Sequence, residues 1–532
     1  MSPRQGGRGP LLIGGALVLA VLVAGGILVV ASSASLTTDS VAIAKVGMPL
    51  GGGAVQRTSV VTGPHARPVP IELRGQRIYP RGLLPAGEAL TIEVIVERPG
   101  WISWLAGSKQ RLRLMMTTPT ASLRQHYFTL ASGAPLRLHF RQPVAVIAFG
   151  SGPGALKRKV LPSPRSEVTL PHSGPAGSIA LAAAPRAWET SNPSVVAWFP
   201  SGGKTSAAAS PAPGARILPS TPITLTFSDT VSGALGSHMP PLTPSAPGAW
   251  HTVNSHTIVF QPHGYGYGLG NTVTVGLPSS VTLVDGRRSG SGASASWRVP
   301  RGSTLRLQQL LAQLGYLPLR FHHTGSGVPR TPQAQEAAAI HPPAGTFSWR
   351  WANVPSTLRG MWTPGVSGTM TRGALMAFEN DHGMNPDGVP SAAVWRALLA
   401  AAIRGHGSSF GYTFVHVSES SPETLSLWHS GKTVFSDILV NTGIASAPTA
   451  TGIYPVFEHI AVGTMSGTNP DGSSYSDPGI PWISYFNGGD ALHGFDRCSY
   501  GVPQSLGCVE MDYADAAKVW PYTPVGTLVN VT

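Results

Sequence analysis

Apolar and polar side chains alternate with a period of two in ALTIEVIVE (89–97), QRLRLMM (110–116), PLRLHF (135–140) and PVAVIAF (143–149). This spacing puts one face of an extended chain against a core and predicts half-buried antiparallel strands, assigned to a small β-sandwich over 66–185. The pattern returns in ITLTFS (223–228), HTIVFQP (256–262), NTVTVGL (271–277) and ASWRVP (295–300), predicting a second sandwich over 186–300. A Ser/Ala/Pro/Gly stretch, 201–214, reads as a linker or long loop. At Thr304 the period changes: Leu307, Leu310, Leu311 and Leu314 follow helical spacing, and two more helices are predicted over 371–384 and 391–403, with Ser391 as N-cap. A small three-helix domain therefore spans 301–405. From Phe410 the period of two resumes through YTFVHVS (412–418), TLSLWHSG (424–431), KTVFSDILVNTG (432–443), TGIYPVF (451–457), WISYF (482–486) and TLVNVT (527–532). The last domain, 406–532, is predicted to be mostly β.

The N-terminus carries a different signal. Arg4 and Arg8 precede an uncharged apolar run from Leu11 to Ala31, long enough as a helix to cross a bilayer. Residues 1–35 are read as a cytoplasmic tip and transmembrane anchor with the body outside, and 36–65 as a tether. Cleavage as a signal peptide before the small residues Ser32 to Ser35 is the other reading, and it exports the body equally.

Composition refines this picture. With 532 residues several domains are required, and the 64 glycines and 49 prolines are spread among apolar runs, which suits turn-rich β-domains rather than disorder. The net charge of +13 is unevenly placed: 409–532 holds three Lys/Arg against eleven Asp/Glu, so the remainder is strongly basic. Basic surface of this kind suits anionic lipid or wall polymers, and no nucleic-acid-binding motif is present.

The chemistry concentrates in LHGFDRCSYGVPQSLGCVEMDYADAAKVW (492–520), which holds both cysteines. A thiol acyltransferase needs a thiolate, a proton acceptor and donors for an oxyanion. Cys508 precedes a helix-like run over 511–519, where a helix start would lower its pKa from about 8.5. His493 can fold back across the intervening loop as base, and the amides of Gly507 and Cys508 can face an oxyanion. A Cys498–Cys508 disulfide is the competing reading. Tyr485 and Phe486 are placed either in a substrate cleft or in the core. Glu510 is read with Asp512 and Asp515 as an acidic surface that attracts an acceptor amine, or as a merely solvated face. His416, His429 and His459 are expected on sheet faces, and His322-His323 lack partners at metal-ligand spacing, so neither a metal nor a cofactor is expected. Trp349, Trp351 and Trp362 read as a satellite core, with a sugar-binding surface as the other reading.

These residues resemble the L,D-transpeptidase (YkuD-like) family. Its pattern of a strand ending in His-Gly, then Ser-His-Gly-Cys and a branched apolar residue, is met by Ala491-Leu492-His493-Gly494 and by Ser505, Gly507, Cys508 and Val509; PTATGIYPV (448–456) resembles a further family stretch. The helices at 305–318, 371–384 and 391–403 resemble a peptidoglycan-binding module, with Glu379 at a family Gln and an insertion from Leu319 to Thr369. The strands of 186–300 resemble the immunoglobulin-like spacers that accompany such enzymes. The fold class implied is multidomain and mainly β: a transmembrane helix, two sandwiches, a three-helix module and a mostly-β catalytic domain. The resemblance implies His493 as base and later acid, Cys508 as nucleophile forming a thioacyl intermediate, Ser505, Leu506 and Gly507 in positioning roles, and the Gly494 carbonyl as orienter of the imidazole. Leu506 stands where the family has a second histidine, and Glu510 where Arg or Asn is common. The implied partners are peptidoglycan stem peptides, as acyl donor and acceptor, other wall polymers, and the membrane through the N-terminal helix. An L,D-carboxypeptidase using the same site and a non-catalytic peptidoglycan-binding scaffold are the alternatives.

Overall fold

The computed structural model describes residues 22–49, 52–284 and 294–532. The crossing helix expected over Leu11–Ala31 lies largely outside them; residues 22–31 are helical, and among the described residues no helix is long and apolar enough to cross a membrane.

The stretch expected as a tether is folded. Ser35–Thr38, Ala44–Gly47 and Ala54–Thr62 are strands of two four-stranded sheets, and Ile43, Ala44 and Val46 are fully buried against Ile78, Ile92 and Val94. Its Gly, Ser and Thr residues give it the look of a linker, but Ala42, Ile43, Ala44, Val46 and Val60 supply the apolar positions that the sheets bury. The region read as one sandwich, 66–185, holds parts of two cores. One ends with Lys109–Thr117; the other is a five-stranded sheet of Tyr127–Leu130, Ser194–Pro200, Gly177–Ala184, Leu136–Gly150 and Lys157–Leu170. Ser194–Pro200 pairs antiparallel with Gly177–Ala184, so this sheet crosses the boundary set at 185. Both cores have the same period of two, and periodicity alone cannot tell where one ends.

The next unit packs a five-stranded and a three-stranded sheet around Phe227, Ile258 and Trp297. The expected linker contains one of its strands: Ser206–Ser210 pairs with Ile223–Phe227 and Thr282–Val284, and Ala207, Ala208 and Ala209 are buried. The alanines read as low complexity in the sequence, yet they are buried positions of this sheet.

The helices Thr304–Gln313, Thr369–Asp381 and Ala392–Arg404 build the next core, with Ser391 Oγ accepting the Val394 N–H as N-cap. The intervening excursion forms a hairpin, Leu319–His323 with Gly345–Trp349, and the helices Pro332–Ile340 and Ser356–Gly360. Trp349, Trp351 and Trp362 pack against this core; Trp351 meets Trp428 edge-on at 5.4 Å. The core does not stop at the domain boundary, because Tyr412, Phe414, Trp428 and Leu528 of the last module belong to it.

That module has two sheets. Lys432–Leu439, Thr424–His429, Thr413–Ser418, Leu528–Val531 and Gly452–Pro455 form one; Glu458–Thr468, Ser474–Asn487, Asp490–Gly494 and Val509–Met511 form the other. Val415, Leu427, Leu492, Val509 and Val529 fill the space between them.

Candidate active site

Strand register decides which side chains meet. Leu492 pairs with Val509 and His493 with Glu510 in parallel, while Tyr485 pairs with Ala491 antiparallel. Side chains alternate across a sheet, so Tyr485, Ala491, His493, Cys508 and Glu510 share one face, and Phe486, Leu492, Val509 and Met511 the other. The second set lies in the core between the sheets; Phe486 is 3% exposed there and is a packing residue, not a cleft residue. Tyr485 is half-buried on the site face, stacked on Phe457 at 6.2 Å.

Cys508 and His493 open on one cleft of about 570 Å³, also lined by Leu506, Glu510, Tyr475, Asp477, Asp490 and Arg497. The cysteines are both free, with Cys498 exposed, so the competing disulfide is not formed. His493 is 3% exposed, and its Nδ1 lies 3.1 Å from the Gly494 carbonyl oxygen. Nδ1–H therefore donates to that carbonyl, which leaves Nε2 as the proton acceptor. Burial pulls the imidazole below its ordinary value of 6.5, so the ring is neutral at neutral pH.

The thiol differs from expectation in two ways. Val509–Met511 is a strand, and the following helix, Tyr513–Val519, starts only after its N-cap Asp512, so no helix terminus faces Cys508. Burial, and then the charges of Asp490 and Glu510, push the thiol up to about 12 although the Ala491 amide favours the thiolate. Its Sγ–H donates to the Gly489 carbonyl at 3.6 Å. The resting pair is a protonated thiol and a neutral imidazole.

The loop before Cys508 is fixed by Ser505. Its Oγ donates to the Cys508 carbonyl at 2.5 Å and accepts the Gly507 N–H at 3.2 Å, while its own main chain bonds to Thr442 and Ile444. The Gly507 amide is thus committed to Ser505, and of the two expected oxyanion donors the Cys508 amide remains. Gly507 has φ +116°, and a Cβ there would lie 2.6 Å from Asp490 Oδ1, so only glycine fits.

Glu510 is not part of an acidic surface. It is 4% exposed and holds Arg497 through two bonds of 2.8 Å, Nε to Oε2 and Nη2 to Oε1. Asp512 caps the helix and Asp515 pairs with Lys518 at 3.0 Å, so neither attracts an acceptor amine from this cluster. Arg497 lies 4.6 Å above the Phe495 ring, whose edge meets His493 with centroids 6.0 Å apart. Arg497 and Asp490 were the residues missed. The acidic substitution at 510 was the signal for the first, since a buried carboxylate demands a cation nearby. His416, His429 and His459 bond Thr532, Thr413 and Trp520, and among the described residues no cluster of three or more metal-ligating side chains occurs.

The Asp490 carboxylate accepts from Asn487 Nδ2 at 3.1 Å and from the Ala450 amide at 3.3 Å. Removing its charge in Asp490→Asn should favour the thiolate and speed iodoacetamide alkylation of Cys508 several-fold at fixed pH. An unchanged rate would leave the raised thiol pKa to burial and Glu510.

Residues 412–531 match the YkuD family model, the L,D-transpeptidase catalytic domain, and residues 359–398 match a peptidoglycan binding domain. Similar solved structures include an L,D-transpeptidase from Mycobacterium smegmatis, at 11% identity over 62% of this chain and 100% of that one with a TM-score of 0.21. The catalytic domain of an E. faecium L,D-transpeptidase is 22% identical over 24% of this chain and 100% of its own, TM-score 0.21. An L,D-transpeptidase from Stackebrandtia nassauensis is 22% identical over 33% of this chain and 86% of its own, TM-score 0.19. No curated protein matches the chain.

Proposed function

We propose that the YkuD-type domain at 412–531 forms peptidoglycan crosslinks as an L,D-transpeptidase through a thioacyl intermediate on Cys508. The observation that carries this reading is the single cleft holding both the Cys508 thiol and the neutral His493 imidazole, with Nε2 as the acceptor nitrogen. Cys508 Sγ attacks the carbonyl carbon before the terminal D-residue of a tetrapeptide stem as its proton passes to His493. The peptide C–N bond breaks, the amine leaves with that proton, and a thioester remains on sulfur. An amine of a neighbouring stem then attacks the thioester, giving a proton to His493 and returning the thiol. The oxyanion faces the Cys508 amide. Because the thiol rests protonated, base and nucleophile act in one step rather than as a preformed ion pair. The body of the protein works outside the cytoplasmic membrane, held there by the apolar N-terminal run, and the helical module holds wall polymer near the cleft.

Intact-protein mass spectrometry after mixing with a synthetic tetrapeptide stem tests the assignment. The expected species is one added tripeptide acyl group on Cys508, chased into crosslinked dimer by an acceptor stem. Chase into free tripeptide alone would make the protein a carboxypeptidase; no adduct on a folded protein would make it a binding scaffold, the reading that Leu506 and the raised thiol pKa favour.

A further inference from the structure

A second cavity, of about 630 Å³, lies in the helical region outside the 359–398 segment that matches a peptidoglycan binding domain. The inserted hairpin and Pro332–Ile340 wall it on one side, and the start and end of the module, Thr304–Gln313 and 402–408, on the other. Arg306, His323, Arg330 and Arg350 all line it, and none of its lining residues is Asp or Glu. The whole module is basic, with nine arginines against four carboxylates over 301–405.

Arg306 is the telling residue. It is 1% exposed, yet its guanidinium is held by neutral amide oxygens, Gln309 Oε1 at 3.2 Å and Gln335 Oε1 at 2.9 Å, and its Nε finds no acceptor among the described residues. Burial pushes it down to about 10, and the buried carboxylate nearest in sequence to its partner Gln335, Glu336, feels Arg396 instead. A buried cation without a counter-charge is costly, and an anion seated beside it would relieve that cost. His323 supplies a second donor. Its Nε2 lies 2.7 Å from the Gln313 side-chain nitrogen, which donates, so the ring proton sits on Nδ1, and that nitrogen is buried without an acceptor. Arg350 is fixed by donating to the carbonyls of Leu317, Leu319 and Ala312, which holds a second positive group rigid in the wall. Arg330 is exposed at the mouth.

We propose that this cavity is a binding site for an oxyanion, the carboxylate or phosphate of a wall component, seated among Arg306, Arg350 and His323 with Arg330 over the opening. Planar guanidinium groups suit the two oxygens of either group. The volume admits a ligand of two or three residues or sugars rather than a bare ion. The site is independent of the thiol chemistry, so it stands or falls apart from the transpeptidase reading.

Calorimetric titration of the full chain with N-acetyl-D-alanine and with inorganic phosphate, at constant ionic strength in chloride, tests it. Saturable binding of at least one probe is expected, with Arg330→Glu weakening it tenfold or more. Stronger binding of the first probe identifies a peptide carboxylate, and of the second a phosphate polymer. Arg306→Met removes the buried cation, at the cost of leaving the Gln309 and Gln335 side-chain oxygens without their donor, and should abolish the upward shift in Tm that the anion produces in the wild type. Failure of both probes to saturate, or Arg330→Glu binding as tightly as wild type, would overturn the proposal.

Discussion

Cys508→Ala is expected to bring conversion of a tetrapeptide donor below detection, and His493→Gln to slow it about 10³-fold. The difference follows from the resting charges. With the thiol pushed up to about 12, almost no thiolate exists at neutral pH, and the nucleophile is made only as its proton leaves for a base. His493 can be that base because burial keeps its imidazole neutral. The productive pair of thiol and neutral ring is present from the depressed histidine pKa, below 6.5, up to about 12. Turnover should therefore rise with pH on the acid side as His493 loses its proton and then stay level through neutrality. Alkylation by iodoacetamide follows the thiolate fraction and should climb roughly tenfold per pH unit over the same range. Parallel pH profiles of kcat/KM and alkylation check this. If turnover climbs alongside alkylation, thiolate is the reacting species and His493 is not the base.

Arg497→Ala should cost about 3 kcal/mol of stability, a large loss for one residue near the surface of a cleft. Glu510 is 4% exposed and both its oxygens are committed to this guanidinium. Without the cation a carboxylate is left buried beside the His493 strand, and the uncompensated charge, not the lost attraction, dominates the cost. The Arg497 side chain is 31% exposed, so solvent reaches the vacated position and keeps the figure at the low end for buried pairs. Adding Glu510→Gln to Arg497→Ala should recover most of the loss. Urea denaturation of the two variants decides it: equal midpoints for Arg497→Ala and wild type would mean the carboxylate is not buried in solution.

Much of this was legible in the sequence because the relevant signals are local. Alternation in 89–97 and 412–418, the helical spacing after Thr304 and the Ser391 cap each depend on neighbours a few positions apart. The same holds for the placing of His493 near Cys508, since one short loop joins them. The tether at 36–65 and the linker at 201–214 were misread because Gly, Ser and Ala are ambiguous: they occur in flexible chain and within buried strands alike. Phe486 and Tyr485 differ only in face, which is fixed by register against Ala491 and invisible in composition. The Arg497–Glu510 pair and the opposing charge of Asp490 on the thiol arise from residues brought together by folding. Burial of the thiol, with the charges of Asp490 and Glu510 behind it, reverses the expected sign of the Cys508 shift.

The apolar continuity across residue 405 bears on how the chain is made and divided. Gly373 leaves so little room that a Cβ there would lie 2.7 Å from the Gly526 carbonyl and 2.9 Å from Leu528, so the helix Thr369–Asp381 rests directly on the penultimate loop and last strand. Until Leu528–Val531 pairs with Thr413–Ser418, the helices before residue 405 lack part of the apolar surface that covers them. The helical module and the module that follows it are therefore one packing unit: neither can be cut loose from the other without exposing apolar surface on both.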